Sequence, residues 1–307
     1  MESTIIKLYA HNRPIREISR NLEINRSTVR KTLGKNNIKI RNSRDSLISM
    51  GHIKEKKKFN VESKEKAYLF GLVMGDLTPV KKSNYTLKLI THTTHPLFGD
   101  LLLKSFKEYG ITNYKLTKKE EQYRFQSHIC LESFNFLINS KENRIPNWID
   151  KENFFHFLAG YIDADGSILV RKTGEYFQFV VRLFSQKLER LIKIKEILQD
   201  NGYFVSMHKN HSKGDTSTHN GKIFRYNKDY YVIEICRKNE VLKLLNILPI
   251  RHKEKIAKVN LIYKINKSKK VKYKDIEKPV KQLSSLIKQT VMQKKAINLS
   301  RINLHGL

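Results

Sequence analysis

Asp76 and Asp165 end two stretches of the same design, "YLFGLVMGD" (68–76) and "FLAGYIDAD" (157–165). Gly71 matches Gly160, Gly75 matches Ala164 and Asp76 matches Asp165, each pair 89 residues apart. Phe157, Leu158, Tyr161 and Ile162 recur at helical spacing, so the second stretch reads as a buried helix. An unpartnered charge is costly in such a place. A carboxylate duplicated at the last turn of two apolar helices, beyond small residues at matching positions, is therefore a candidate for chemistry. A duplicated helix whose acids only stop it is the plainer alternative.

The surrounding elements are duplicated too. After Asp76, "YTLKLITH" (85–92), "YKLTKK" (114–119) and "YRFQSHIC" (123–130) alternate as strands. "HPLFGDLLLKSFKEYG" between them has helical periodicity, with Gly110 as the expected stop. After Asp165 follow "SILVRK", "EYFQFVVRLFSQ", the helical "KLERLIKIKEILQDNG", "YFVSM" and "YYVIEICRK". Each half reads helix, strand, strand, helix, strand, strand, helix. That is an α+β class of two antiparallel sheets with helices on one face.

The chain has 60 Lys and Arg against 29 Asp and Glu, a formal net charge of +31 in 307 residues. A surplus of that size repels itself unless a polyanion shares it, so nucleic acid is the expected partner. An anionic membrane is the weaker choice, since no 18-residue apolar run, signal peptide or lipidation motif is present. Cys130 and Cys236 form neither a disulfide framework nor a zinc pattern. The expectation is a soluble protein inside the cell, in the cytoplasm and nucleoid or in an organelle, with no targeting segment seen and no membrane partner.

Leu158-Ala-Gly-Tyr-Ile-Asp-Ala-Asp-Gly166 resembles the motif that names the LAGLIDADG homing endonucleases, departing from it at one position. The looser Leu69-Phe-Gly-Leu-Val-Met-Gly-Asp-Leu77 keeps both small residues and the final acid. The resemblance spans roughly residues 63 to 250 and implies a pseudo-symmetric tandem αββαββα fold in one polypeptide, expected as a monomer. It implies that the two motif helices pack side by side, with Gly71, Gly75, Gly160 and Ala164 allowing close approach. Asp76 and Asp165 would then meet at two negative helix ends and need cations. Asp76, Asp165 and the backbone at Gly75 and Ala164 become candidate ligands of Mg²⁺, or another divalent ion such as Mn²⁺. Such ions can activate water and stabilise the leaving oxygen of a phosphodiester. The resemblance also makes Gln186 and Lys187 candidates for the water-holding amide and the catalytic lysine. Lys187 as a solvated lysine at a helix start is the alternative. The first half offers His92 and Thr93 there, so either one half is the stronger cutter or Lys81 or Lys82 reaches in from the first hairpin. Asp163, matched by Met74, reads as solvated or locally paired.

The sheets' polar faces are candidates for reading double-stranded DNA. Phe177, Phe179, Val181 and Leu183 share one parity, and Gln178, Arg182 and Gln186 the other. Tyr123, Phe125 and Ile129 should face inward, leaving Arg124, Gln126 and His128 outward. Lys88 and His92 complete the set. Arg and Gln are the side chains that make bidentate contacts with guanine and adenine.

Residues 1–45 read as three helices resembling a helix-turn-helix. Ile5, Ile6, Leu8 and Tyr9 lie on the first, and Ile15, Ile18 and Leu22 on a second opened by Pro14. Val29 and Leu33 lie on a third stopped by Gly34. Arg26, Ser27, Thr28, Arg30 and Lys31 would face the major groove; a three-helix cap with a basic face is the alternative. Residues 46–62 read as a basic linker, 63–145 and 146–265 as the two halves, and 266–307 as a basic tail, helical or disordered. The stretch 207–229 reads as a hairpin extension touching phosphates. The chain begins at Met1 and ends Leu-His-Gly-Leu, unlike an intein, and so reads as free-standing. The function expected is site-specific double-strand cleavage of DNA. A non-cleaving DNA-binding regulator, or a maturase acting on intron RNA, is the alternative.

Overall fold

The computed structural model describes the chain except residues 52–54, 61, 118–121, 143, 220–221 and 305–307. The expected strand residues Lys118 and Lys119, parts of the linker and the last three tail residues fall outside the described residues. The described chain divides into two compact units, residues 1–57 and 58–307.

The first unit holds helices α1 (Glu2–Ala10), α2 (Ile15–Asn21), α3 (Arg26–Lys35) and α4 (Ser43–Ser49). Ile5, Tyr9, Ile18, Val29 and Leu33 form its core. Two expectations fail here. The third helix runs through Gly34 and gives way at Asn36 and Asn37, the latter left-handed with φ of 54°, a conformation Asn tolerates. Part of the presumed linker region is helical, because Asn42 caps α4 by accepting from the Asp45 amide at 2.8 Å. Arg41 ties that segment back: its guanidinium lies over the Tyr9 ring and donates to Tyr9 O at 2.7 Å and Ser49 Oγ at 2.9 Å.

The second unit opens with α5 (Ser63–Asp76), β1 (Thr78–Ser83), β2 (Thr86–Thr93), α6 (Pro96–Phe106), β3 (Gly110–Thr117), β4 (Gln122–Cys130) and α7 (Leu131–Phe134), followed by a 3₁₀ turn ending at Lys141. It continues with α8 (Lys151–Asp165), β5 (Gly166–Thr173), β6 (Tyr176–Ser185), α9 (Leu188–Asp200) and β7 (Ser206–His211). A separate hairpin, β8 (Thr216–His219) and β9 (Lys222–Arg225), precedes β10 (Tyr230–Ile235), α10 (Lys238–Ile247), α11 (Lys253–Lys267) and α12 (Glu277–Leu304). The four-stranded sheets have the same antiparallel order, β1-β2-β4-β3 and β5-β6-β10-β7. The α+β class with its duplicated half is thus the observed fold. Gly110 opens β3 instead of ending a helix: a Cβ there would lie 2.1 Å from His128 O, so it serves a close strand approach.

One apolar core runs through both halves, with α5 and α8 at its centre. Residues 67–74 of α5 and 157–163 of α8 are buried all round, as befits helices enclosed by their neighbours. Their glycines set the distance. A Cβ on Gly71 would lie 2.0 Å from Phe157 O, and one on Gly160 would lie 2.0 Å from Tyr68 O. Phe157 and Tyr68 are themselves 89 residues apart, so the sequence offset reappears as a two-fold in the contacts. After the end of α11 and a 3₁₀ turn at Tyr273–Asp275, the tail continues as one long helix, α12, packed on α11 and reaching α6, where Lys294 pairs with Asp100. Among the described residues, no helix is long and apolar enough to cross a membrane.

Candidate active site between the two central helices

The helix pair carries its close approach to its C-terminal end. There a Cβ on Gly75 would press on the Ala164 Cβ at 2.4 Å and lie 3.6 Å from the Asp165 Cβ. Asp76 and Asp165, the next residues on each helix, are therefore brought to one place. Protein surrounds most of each carboxylate, although Asp76 still opens to solvent on one side. Loss of hydration raises both pKa values, Asp76 to about 6 and Asp165 to about 7, and the charge of Asp76 pushes Asp165 further. The Thr91 hydroxyl on β2 donates to Asp76 Oδ2 at 3.2 Å and opposes the rise there.

Cations that sequence reasoning did not find surround the acids. Lys141 Nζ donates to Met74 O at 3.0 Å and Gly75 O at 3.3 Å, at the end of α5. In the other half, Lys255 on α11 donates to Ile162 O and, at 2.9 Å, to Asp163 O. Each half thus sets an ammonium on the last-turn carbonyls of its own central helix, where the dipole is negative. Burial lowers both lysines to about 8, and the nearby aspartates oppose that fall. Arg190 on α9 crosses between halves, donating to Met74 O at 3.3 Å and Glu142 O at 3.0 Å. Both lysines follow the fourth strand and next helix of their half, but at unequal spacing, so the 89-residue offset could not reveal them.

The other candidates divide. Gln186 and Lys187 lie in the exposed turn between β6 and α9, and Lys187 Nζ donates to the backbone oxygen of Lys141, whose own ammonium sits on the end of α5. Lys81 and Lys82 do not reach the acids: Lys81 pairs with Leu87, toward the far end of a hairpin whose near end carries Thr91. Ala164 packs on Gly75, while the Gly75 carbonyl is already engaged by Lys141. Asp163 is buried rather than solvated, accepting from the Tyr68 hydroxyl and the Arg251 amide, each at 2.7 Å. Arg251 also stacks over the Tyr68 ring and pairs with Glu65. Asp163 therefore braces α8 to α5.

On the first sheet Lys88 faces His128 across the β2–β4 ladder, and His92 faces Arg124. All four point away from the core, as does Gln126, whose amide can accept from Arg124 at 2.6 Å. On the second, Gln178 accepts from Arg171 at 3.0 Å, and Arg182 pairs with the buried Glu234 at 2.5 Å. That sheet's polar face is already cross-linked. Arg26, Ser27, Thr28, Arg30 and Lys31 are all exposed on α3 of the separate first unit.

Residues 153–277 match the family model described as a LAGLIDADG-like domain. This part of the chain is LAGLIDADG-like. An uncharacterized protein of Methanocaldococcus jannaschii is 32% identical over 160 residues, covering 48% of this chain and 57% of that protein. The chain thus spans little more than half of that relative. A second uncharacterized protein of the same organism is 25% identical over 232 residues, 73% of this chain and 76% of its own. Among solved structures, I-DmoI in complex with DNA and Mn is 15% identical, with a TM-score of 0.37 over 62% of this chain and 98% of that one. The I-LtrWI LAGLIDADG homing endonuclease bound to target DNA is 14% identical, with a TM-score of 0.41 over 76% and 96%. Full-length WhiA from Thermatoga maritima is 16% identical, with a TM-score of 0.44 over 76% and 70%.

Proposed function

We propose that the protein binds double-stranded DNA across its two sheets and hydrolyses it with a divalent cation at Asp76 and Asp165. One observation carries this reading: the Gly75–Ala164 contact places two carboxylates of raised pKa together inside a shell of ammonium and guanidinium groups. Two acids that repel at negative helix ends fit a hard cation with oxygen ligands. Asp76 and Asp165 would hold it, with Mg²⁺ or Mn²⁺ equally suited. When bound, such an ion supplies a Lewis acid for water and for the leaving oxygen of a phosphodiester.

The chain's own residues do the rest. Thr91 fixes the Asp76 carboxylate. Lys141 and Lys255 cover the helix-end carbonyls, so the acids face less of the negative dipole. Exposed Gln186 and Lys187 at the rim of the site meet a phosphate and its water. Lys88, His92, Arg124, Gln126 and His128 line a base-reading face on the first sheet, and Gln178 and Arg182 would join them on the second by exchanging their Arg171 and Glu234 partners for bases. The first unit adds a helix-turn-helix contact through Arg26, Ser27, Thr28, Arg30 and Lys31. Removing residues 1–57 should then weaken binding about tenfold and flatten its salt dependence, leaving the cut position unchanged.

The test is incubation with Mg²⁺ or Mn²⁺ and DNA spanning the gene's uninterrupted insertion site. A double-strand cut that disappears in Asp165→Asn supports the proposal; binding without any cut overturns it.

A second reading has its own observation. Lys141 already occupies the Gly75 carbonyl, and Lys255 serves the other helix end, so lysines alone give the acids counter-charges. That arrangement suits a DNA-binding regulator that never cuts. Calorimetric titration with Mn²⁺ separates the two: an endonuclease binds the ion through Asp76 and Asp165, and a regulator does not.

A further inference from the structure

The eight strands of the two four-stranded sheets contain one acid among the described residues, Glu234 on β10. It is 6% exposed and faces Arg182 on β6. Arg182 lies three residues before Ser185, the end of β6. The residue three before Thr93, the end of β2, is Ile90, which faces Gln126. An amide thus stands in the first sheet where the second has a carboxylate.

Two arginines meet that carboxylate, and they meet it differently. Arg171 on β5 crosses β6 to reach it, its Nη1 donating to Glu234 Oε2 at 3.0 Å and Oε1 at 3.3 Å. The Nη2 of Arg171 donates to Gln178 Oε1 at 3.0 Å, so both its terminal nitrogens are engaged. Arg182 touches Glu234 through Nε alone, 2.5 Å from Oε1, and does not aim that N–H at the oxygen. Its terminal nitrogens have no partner among the described residues, and its side chain is 27% exposed.

A buried carboxylate must keep a partner, because an uncompensated charge there is strongly destabilising. With Arg171 on both its oxygens, Glu234 stays paired if the terminal nitrogens of Arg182 turn to a base. The exchange asked of Arg182 is therefore small. Gln178 is held more firmly: its amide oxygen is taken by Arg171, so the end left open is its NH₂ group. The open groups of this cluster are N–H donors. In the major groove guanine presents two acceptors, N7 and O6, whereas adenine pairs an acceptor with a donor. A glutamine whose oxygen is occupied cannot answer adenine, and a free arginine fork matches guanine.

We infer that Glu234 is a specificity-determining residue: together with Arg171 it positions Arg182 to read guanine, and it withholds both arginines from indiscriminate phosphate contacts. This rests on the DNA reading proposed above. It makes the second sheet the more selective of the two, since the first has no acid to restrain its cations.

The test uses the full chain and selection of duplexes from a random-sequence pool. The wild type should enrich a guanine at a fixed position in one half of its footprint. Arg182→Lys keeps the charge and loses the fork, so that guanine should disappear from the selected set. Its binding to the wild-type site should weaken about 5- to 150-fold, and its binding to a site with adenine at that position should match the wild type. Glu234→Gln should flatten the same preference, bind unselected duplex more tightly and steepen the salt slope by about two, as two arginines are released to phosphates. Arg182→Lys leaves the Arg171–Glu234 pair in place, so its result stands even if Glu234→Gln fails to fold. A selected set unchanged by Arg182→Lys overturns the inference, as does uniform weakening on every sequence. A folded Glu234→Gln protein with the wild-type preference and salt slope overturns it too. If the wild type retains no duplex at all, the DNA reading itself fails and takes this inference with it.

Discussion

The two halves share a sheet order and a helix contact, yet they are not copies at the centre. Tyr68 and Asp163 make a hydrogen-bonded pair across the helices, while the equivalent positions in the opposite sense are Phe157 and Met74, both buried and one of them apolar throughout. Asp76 has a hydroxyl partner in Thr91, and Asp165 feels the charge of Asp76 most after burial. Symmetric backbone packing with asymmetric side chains teaches that the fold needs two halves, while each acid has its own surroundings.

The sharpest way to break the comparison is to remove either acid. Asp76→Asn and Asp165→Asn should each lower double-strand cleavage at least 10³-fold, about 4 kcal/mol in barrier, and leave DNA binding within about tenfold. Plasmid linearisation and filter binding measure the two quantities. Full cleavage by either variant would mean that one half suffices.

Next in size is the helix contact. Gly71→Ala and Gly160→Ala each force a methyl against a backbone oxygen, which should cost about 3 kcal/mol, within the upper range of overpacking. The gain of about 1 kcal/mol in helix propensity offsets only part of that. Urea unfolding should give nearly equal losses for both, since the contacts mirror each other. A loss at one position alone would show that the two-fold does not hold there.

This symmetry was legible in the sequence, because small residues and acids recur at a constant offset that the backbone contacts then reproduce. The inward parity of Phe125 and Ile129 was legible for the same reason: side-chain direction along a strand is fixed by a period of two. Lys141 and Lys255 were not legible, since each finds its carbonyls through tertiary packing and no short-range pattern links a lysine to a helix end so far away in sequence. Asp163 misled for a related reason. Its place in the helix was clear, but its partners, Tyr68 and Arg251, come from other elements.

The Tyr68–Asp163 brace can be tested as a cycle. Asp163→Met leaves the Tyr68 hydroxyl buried without its acceptor, costing about 2 kcal/mol. Tyr68→Phe/Asp163→Met recreates the Phe–Met combination of the opposite sense and should recover much of that loss, since removing both polar partners is far less costly than removing one. Denaturation of the four proteins gives the coupling. Additive losses would mean that the pair does not act as a unit.

The last test sharpens the electrostatic contrast. Asp76 and Asp165 have folded pKa values near 6 and 7, above their ordinary value of 3.8, so the folded protein holds protons that the unfolded chain has released. Without a divalent ion, their contribution to stability should therefore fall as pH rises from about 4 to about 7. Lys141 and Lys255 have the opposite offset, with folded values near 8 below an ordinary 10.5, so their contribution should rise with pH between about 8 and 10.5. The two trends meet in a minimum near pH 7 to 8, where all four groups are mostly charged. Asp165→Asn should lessen the fall on the acid side and enlarge the rise on the alkaline side, because the Asp165 charge holds both lysines up. Mn²⁺ should fill in the minimum, because an ion bound to the carboxylates stabilises the folded state by mass action. Thermal unfolding from pH 4 to 10, with and without Mn²⁺, measures this directly. A metal-free profile that climbs steadily from pH 4 to 7 would show that the acids are already neutralised by their lysines, and the case for an ion between the two halves would fall with it.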